Sequence, residues 1–274
     1  MRGYQQHQVE REGVDLTVYV QDGDGPIMFF QHGLCGSAGQ PADVFPQRVG
    51  HRHAVLECRG HGGSALGPVD DLSIATFADD LAAAIETYAE APCLIGGISM
   101  GAVIAQRLVV LRPGLVKGLV LARPAWVCEP GPENMRPNLK VGTVLLNDET
   151  PVERDLFLAS KTAKRLAAEA PDNLTSLVGF FDRKPRRDTA ELLTRISKDG
   201  PGVCQEDLRG ISIPTMVIGH GEDLVHPLSY ATELAELIPS ASLCSIPSKT
   251  TDRDGYTAQF RAALTEFLRE ASHE

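Results

Sequence analysis

The sequence lacks the signatures of several common classes of protein. Its 274 residues include six cysteines, and none of them forms a Cys-x-x-Cys pair, so neither a zinc site nor a disulfide framework is predicted. No apolar run reaches the roughly 20 residues that a bilayer-spanning helix needs. A His-Glu-x-x-His zinc motif and a Gly-x-x-x-x-Gly-Lys phosphate loop are also missing. We therefore expect no metal, no cofactor and no membrane partner.

Positive charge is scarce as well. Lysine and arginine number 26 against 36 aspartates and glutamates, which gives a formal net charge of −10 at pH 7. This balance disfavours nucleic acid and anionic membranes as partners, because both would be repelled. The polar first residues lack the apolar stretch of a signal peptide. We expect a cytoplasmic protein that acts on a small molecule.

What is present is an alternation of short apolar runs with amphipathic stretches. Apolar runs at 14–20, 26–31, 54–58, 93–97 and 118–122 predict strands, with helical patterns between several of them. This order indicates a mostly parallel sheet covered by helices on both faces. Residues 127–209 are instead rich in helical patterns and prolines, with a clear helix predicted over 154–170. We predict an α/β core formed by residues 1–126 and 210–274, with a helical cap at 127–209 inserted into it.

One pentapeptide carries a chemical signal. Gly97-Ile98-Ser99-Met100-Gly101 comes directly after a predicted strand and directly before a predicted helix, and this context makes a Gly-x-Ser-x-Gly motif meaningful. The glycines permit a sharp turn that exposes the serine hydroxyl. We predict Ser99 as a nucleophile and the backbone N–H of Met100 as one donor of an oxyanion hole.

A second glycine-containing loop follows another predicted strand. His32-Gly33-Leu34-Cys35-Gly36 is suited to supply the second oxyanion donor. The N–H of Leu34 is our choice for this donor, with Cys35 as the reserve. His32 and Cys35 are also candidates for the wall of the substrate pocket, although a histidine here more often hydrogen-bonds within its own loop.

These motifs, together with Arg59-Gly60-His61-Gly62 after a strand, resemble the α/β-hydrolase superfamily. The similarity is to its capped branch of esterases, enol-lactone hydrolases and cofactor-free haloperoxidases. It implies the α/β-hydrolase fold, a loop-ordering role for His61, and a triad acid after the next-to-last strand. Asp223 matches the position of that acid, with Glu222 as the reserve.

The same resemblance implies a histidine in the loop after the last strand, but Ile246–Arg253 contains none. Lys249 in that loop is one candidate base, provided that its pKa is lowered. His226, three residues after Asp223, is a second candidate. A third interpretation is a non-hydrolytic protein that binds a ligand or performs lyase-type proton transfer. We rank a hydrolase first, because the Gly-x-Ser-x-Gly motif at 97–101 and the glycine-containing loop at 32–36 are both intact.

The strand at 118–122 leads into two further candidates. Arg123 is suited to bind a substrate carboxylate or phosphate, or else to form a salt bridge within the cap. Trp126, the only tryptophan, either walls the pocket or packs the cap onto the core. Together these residues predict a small, polar or anionic ester or lactone as the substrate.

Overall fold

A single eight-stranded sheet organises the molecule. The computed structural model describes residues 1–47, 49–147 and 152–271. The strands follow the order β1-β2-β4-β3-β5-β6-β7-β8 across the sheet. The first two pairings, β1 with β2 and β2 with β4, are antiparallel, and all the others are parallel. The strands are β1 (Tyr4–Arg11), β2 (Val14–Gln21), β3 (Ile27–Gln31), β4 (Arg52–Glu57), β5 (Cys93–Ile98), β6 (Val116–Ala122), β7 (Thr215–Gly219) and β8 (Ala241–Ser245).

Helices cover both faces of this sheet, so the predicted α/β-hydrolase fold is confirmed. They are α1 (Gly39–Val44), α2 (Ile74–Tyr88), α3 (Met100–Leu111), α4 (Arg136–Leu146), α5 (Glu153–Ala159), α6 (Lys161–Glu169), α7 (Pro171–Gly179), α8 (Arg186–Ile196), α9 (Gln205–Arg209), α10 (Leu228–Leu237) and α11 (Arg253–Glu270). In the parts of the chain that the structure describes, none of these helices combines the length and apolar character needed to cross a membrane.

Alternate side chains of the central strands pack into two separate hydrophobic cores, one on each face of the sheet. Phe29 on β3 belongs to a cluster with Phe77 of α2 and Ile104 of α3, whereas its neighbour Phe30 belongs to a cluster with Phe260 of α11. Successive residues of a strand point to opposite faces, and both faces of this sheet are covered. Burial on both faces explains why the sequence of β3 is a continuous apolar run. The same packing holds in place the loops at the carboxyl ends of the strands.

Six helices, α4 to α9, lie between β6 and β7, in the segment predicted as the cap. The bounds 127–209 of that cap stay a prediction. The single helix predicted over 154–170 is wrong in one respect, because the structure divides it into α5 and α6. Ser160 lies between them with an extended backbone, and its side chain accepts a hydrogen bond from the N–H of Ala163 at the start of α6. Serine favours such a capping position over a helix interior.

Candidate active site

Ser99 occupies a strained turn between β5 and α3. Its φ angle is +57°, a region that non-glycine residues rarely adopt, and its N–H donates to the carbonyl of Ala122 at 2.9 Å. A Cβ atom on Gly97 would lie 2.5 Å from the backbone of Gly101, and one on Gly101 would lie 2.6 Å from the carbonyl oxygen of Gln31. Glycine is therefore required at both positions, because the backbone at 97, at 101 and at Gln31 approaches too closely for a side chain. This close packing fixes the serine at the carboxyl edge of the sheet.

His226 is the candidate base that the structure brings to this serine. Its Nε2 lies 2.8 Å from Ser99 Oγ, and its Nδ1 lies 3.0 Å from each carboxylate oxygen of Asp223. The backbone N–H of His226 also donates to Asp223 Oδ1 at 2.9 Å. Hydroxyl, imidazole and carboxylate thus form a continuous chain of contacts at hydrogen-bond distance. The acid and the imidazole both come from the short loop after β7.

The other candidates for base and acid lie elsewhere. Lys249 lines the same cavity as Ser99, but its ammonium makes no hydrogen bond to any of the described residues, and it contacts the ring of Tyr256 at 4.7 Å from the centroid. Lys249 as a base stays a prediction, and in the structure it is the imidazole of His226 and not this ammonium that lies beside the serine hydroxyl. Glu222, the reserve acid, is exposed on the surface.

Arg123 forms a buried ion pair with Asp223. Its Nη2 lies 2.6 Å and its Nε 3.1 Å from Asp223 Oδ2, and its Nη2 is also 3.2 Å from His226 Nδ1. Both ionic side chains are nearly inaccessible to solvent, at 6% and 1% exposure. Arg123 does line the cavity, but its charge is committed to the carboxylate of the core. The predicted salt bridge within the cap is therefore wrong, and the guanidinium is not free to bind a substrate anion.

These contacts set the protonation states of the site. Burial alone would raise the pKa of Asp223, but the attraction of His226 and Arg123 outweighs it and holds that pKa well below its usual range. Burial lowers the pKa of His226, Asp223 opposes this effect, and the nearby charge of Arg123 adds to it. The arrangement therefore combines an ionised carboxylate with an imidazole that stays neutral to lower pH than usual.

Two backbone N–H groups remain available beside the serine. Among the residues that the structure describes, neither the N–H of Leu34 nor that of Met100 donates to a protein acceptor. The loop that holds Leu34 is fixed on both sides of it. The N–H of Gly33 donates to Gln40 Oε1 at 2.6 Å, and the N–H of Cys35 donates to His61 Nε2 at 2.9 Å. The reserve donor Cys35 is therefore already occupied, and the contact of His61 fits its predicted loop-ordering role.

Three residues predicted at the pocket do not line it. His32 is buried within its own loop, where Nδ1 donates to the Gly33 carbonyl at 2.9 Å and Nε2 accepts from the N–H of Cys58 at 3.1 Å. Cys35 is half-buried and is not among the residues that line the cavity. Trp126 is fully buried, and its Nε1 donates to the carbonyl of Asp199 at 2.9 Å. Trp126 thus connects the loop after β6 to the segment predicted as the cap, because its partner Asp199 lies in that segment.

The cavity at Ser99 is small, about 110 Å³. Sequence reasoning missed several of its polar side chains, which are Gln40, Asn138, Asn173 and Ser176. Asn173 on α7 has a visible structural task, since its Oδ1 accepts from the N–H groups of Leu224 and Val225 at 2.8 and 3.0 Å. A residue of the predicted cap thereby fixes the loop that carries Asp223 and His226. No local pattern could indicate this contact, because the partners are about 50 residues apart.

No metal centre is apparent in the parts of the chain that the structure covers, because no three His, Cys, Asp or Glu side chains cluster there in a way that would hold an ion. The polar groups that the structure brings together beside Ser99 are a hydroxyl, an imidazole, a carboxylate and backbone N–H groups. This set resembles the acid–base–nucleophile arrangement of serine hydrolases.

Comparison with known proteins agrees with this architecture. The chain is 27% identical over 263 residues to the sn-1-specific diacylglycerol lipase ABHD11 of Mus musculus, a match that covers 89% of this chain and 81% of the lipase. An α/β-hydrolase from a Medee basin deep-sea metagenome library superposes with a TM-score of 0.73 at 19% identity, over 98% of each chain. The enol-lactonase of Burkholderia xenovorans LB400 superposes with a TM-score of 0.69 at 19% identity, over 98% of this chain and all of the lactonase.

A family model agrees with these pairwise similarities. The model described as "Serine aminopeptidase, S33" (Hydrolase_4) matches residues 25–247. This match runs from just before β3 to the loop after β8, so it includes the turn at Ser99 and both Asp223 and His226. The chain therefore belongs to this family of the α/β-hydrolase superfamily.

Proposed function

We propose that the chain is a cofactor-independent serine hydrolase that cleaves small, polar or anionic carboxylic esters or lactones. The observation that carries this proposal is the 2.8 Å contact between Ser99 Oγ and His226 Nε2, with Asp223 on the opposite side of the imidazole. Hydrolysis by an activated serine first requires that the nucleophile and the base lie within hydrogen-bond distance of each other.

The imidazole acts in one tautomer. Two carboxylate oxygens lie 3.0 Å from His226 Nδ1, which favours a proton on that nitrogen, because an unprotonated Nδ1 would face two anionic oxygens. Nε2 is then a lone-pair acceptor for the hydroxyl proton of Ser99. The imidazolium that forms is stabilised by Asp223, which orients the ring but does not itself take the proton.

The reaction follows from these positions. Ser99 Oγ attacks the carbonyl carbon while its proton moves to His226 Nε2, and the oxyanion accepts hydrogen bonds from the N–H groups of Leu34 and Met100. The tetrahedral intermediate expels the alcohol, which takes the proton from His226. A water molecule then attacks the acyl-enzyme with His226 again as the base, which releases the carboxylic acid and restores the serine.

The surroundings of Ser99 support the substrate class. The cavity is small, and amide and hydroxyl side chains share its wall with Leu177 and Phe180, so a short acyl group with a polar substituent fits better than a long alkyl chain. The name of the mouse relative indicates ester hydrolysis, and that of the Burkholderia neighbour indicates action on an enol lactone.

The decisive experiment uses a fluorophosphonate probe, which phosphonylates activated serines. We expect labelling of the native protein at neutral pH, its loss in Ser99→Ala, and its retention in Ser245→Ala, which removes an exposed hydroxyl on β8. His226→Gln should lower kcat for a small neutral ester by about 1,000-fold or more, whereas Lys249→Gln should leave it within about 3-fold. An unlabelled native protein would contradict the proposal and favour ligand binding or lyase chemistry. Full activity of His226→Gln would exclude His226 as the base.

A further inference from the structure

Two basic side chains line the small cavity at Ser99, and only one of them is neutralised. Arg123 is paired with the buried carboxylate of Asp223 at 2.6 Å. Lys249, from the loop after β8, has no carboxylate within 4.0 Å among the described residues. Asp172, an acidic residue on α7 nearby, is instead paired with Arg253 at 2.9 Å. The ammonium of Lys249 is therefore a cation without a counter-ion in the wall of the candidate active site.

The position of this ammonium is built into the fold. Lys249 lies over the ring of Tyr256, 4.7 Å from its centroid, and Tyr256 is itself buried at the start of α11. Contact with an aromatic face holds a cation in place without neutralising it. Lys249 is half-buried, and a partly desolvated ammonium gains more from an anionic partner than a fully solvated one does, because water screens the attraction less.

A second polar group of the cavity also lacks a partner. Asn138 on α4 lines the cavity and is 6% exposed, and its Oδ1 has no hydrogen-bond partner in the described structure. Buried polar atoms are nearly always paired in folded proteins. An unsatisfied amide and an unneutralised ammonium in one cavity indicate that the bound molecule supplies polar groups of its own.

We propose that Lys249 binds a carboxylate of the substrate, so that the enzyme selects compact esters or lactones that carry a free carboxylate close to the scissile carbonyl. This inference rests on the proposed hydrolase function and adds the substrate class to it. Lys249 replaces Arg123 as the anion-binding residue, because Arg123 is occupied by Asp223. The loop that resemblance would assign to the triad base thus provides substrate selectivity.

The test compares two ethyl esters of nearly equal shape. Monoethyl succinate carries a carboxylate where ethyl 4-methylpentanoate carries an isopropyl group, and a pH-stat measures hydrolysis of both by the full chain. We expect native kcat/KM to favour the anionic ester by about 10- to 100-fold, the range for one charge-assisted hydrogen bond. Lys249→Met should abolish that preference by lowering kcat/KM for the anionic ester alone. Lys249→Arg should restore part of the preference. Lys164→Met, which removes an exposed charge of the predicted cap, should preserve it.

The pH dependence gives an independent readout. Burial and the charge of Arg123 lower the pKa of Lys249 to about 8, so the preference for the anionic ester should fade as pH rises through about 8 and the ammonium loses its proton. Lys249→Met should show no such dependence. The charged and titratable groups that face Lys249 from the surrounding elements are Arg123 after β6, Asp172 on α7, Asp223 and His226 after β7, and Arg253 and Tyr256 on α11.

The outcomes separate this inference from the function on which it rests. Equal kcat/KM for the two esters in the native protein, or an equal loss on both in Lys249→Met, would overturn the anion-binding role while fluorophosphonate labelling of Ser99 still supports a hydrolase. Absence of both hydrolysis and labelling would overturn the hydrolase function and this inference with it.

Discussion

Arg123 Nη2 lies 2.6 Å from Asp223 Oδ2 and 3.2 Å from His226 Nδ1, so one guanidinium contacts both the acid and the base of the proposed triad. The negative charge of Asp223 therefore attracts both the guanidinium of Arg123 and the imidazole of His226. This relationship stabilises the ionised acid, and it also disfavours a second positive charge on the imidazole. The charge of Arg123 therefore adds to the effect of burial in lowering the pKa of the proposed base.

The first prediction concerns the acid side of the pH profile. A general base must be unprotonated to accept the serine proton, and burial together with Arg123 lowers the pKa of His226. The half-maximal point of kcat/KM for a neutral ester should therefore fall below pH 6.5, the usual value for histidine being about 6.5. Steady-state rates between pH 4.5 and 8 measure it. A midpoint at or above 6.5 would contradict the proposed electrostatics.

The second prediction removes the cation itself. Arg123→Leu should shift that acid midpoint to higher pH, because the substitution removes the repulsion between the guanidinium and the imidazolium. The variant should also lose about 3–5 kcal/mol in free energy of unfolding, since it leaves a buried carboxylate with one partner fewer. Urea titration and the pH profile measure the two effects. Arg123→Lys is the matched control, because it keeps the charge and should shift the midpoint less. An unchanged midpoint in Arg123→Leu would disprove the electrostatic role.

The third prediction concerns Asn173 as a positioning residue. Its Oδ1 accepts two backbone N–H groups of the loop that carries Asp223 and His226. Asn173→Ala leaves both donors unpaired, so we expect kcat to fall by about 10-fold or more with a smaller change in KM. Asn173→Asp keeps an acceptor oxygen and should recover part of the rate. Thr175→Ala, an exposed change on the same helix, is the control, and a loss confined to KM would refute positioning.

The most local features were predictable from the sequence. The order of strands and helices follows from the alternation of apolar runs, and the turn at Ser99 follows from glycines that a close backbone approach requires. The edge strand β1 was missed, although it pairs with β2 along its whole length. Most of its residues, including Gln5, Gln6 and Gln8, are polar, and none of the eight is buried. Such a strand is held by ladder hydrogen bonds, which leave no hydrophobic pattern to detect.

The composition of the site was predictable only in part. Ser99, Asp223, His226, Arg123 and Lys249 were all selected from the sequence, but the role of each depends on contacts between distant segments. The partners Arg123 and Asp223 are about 100 residues apart, and nothing in either motif indicates that the carboxylate binds a guanidinium as well as an imidazole. Residues of the cap, such as Asn173, left no signal because their contacts are to backbone N–H groups, which every sequence contains.

The shared loop after β7 has a consequence for how such an enzyme can change. Because Asp223 and His226 lie only three residues apart, a single short stretch of chain carries both the base of the proposed mechanism and the acid that orients it. In the proposed mechanism the loop after β8 then takes no part in proton transfer, although Ile246 packs in the core and Asp252 caps α11. New substrate preferences can therefore arise by substitution at Lys249 without a change in the groups that cleave the bond.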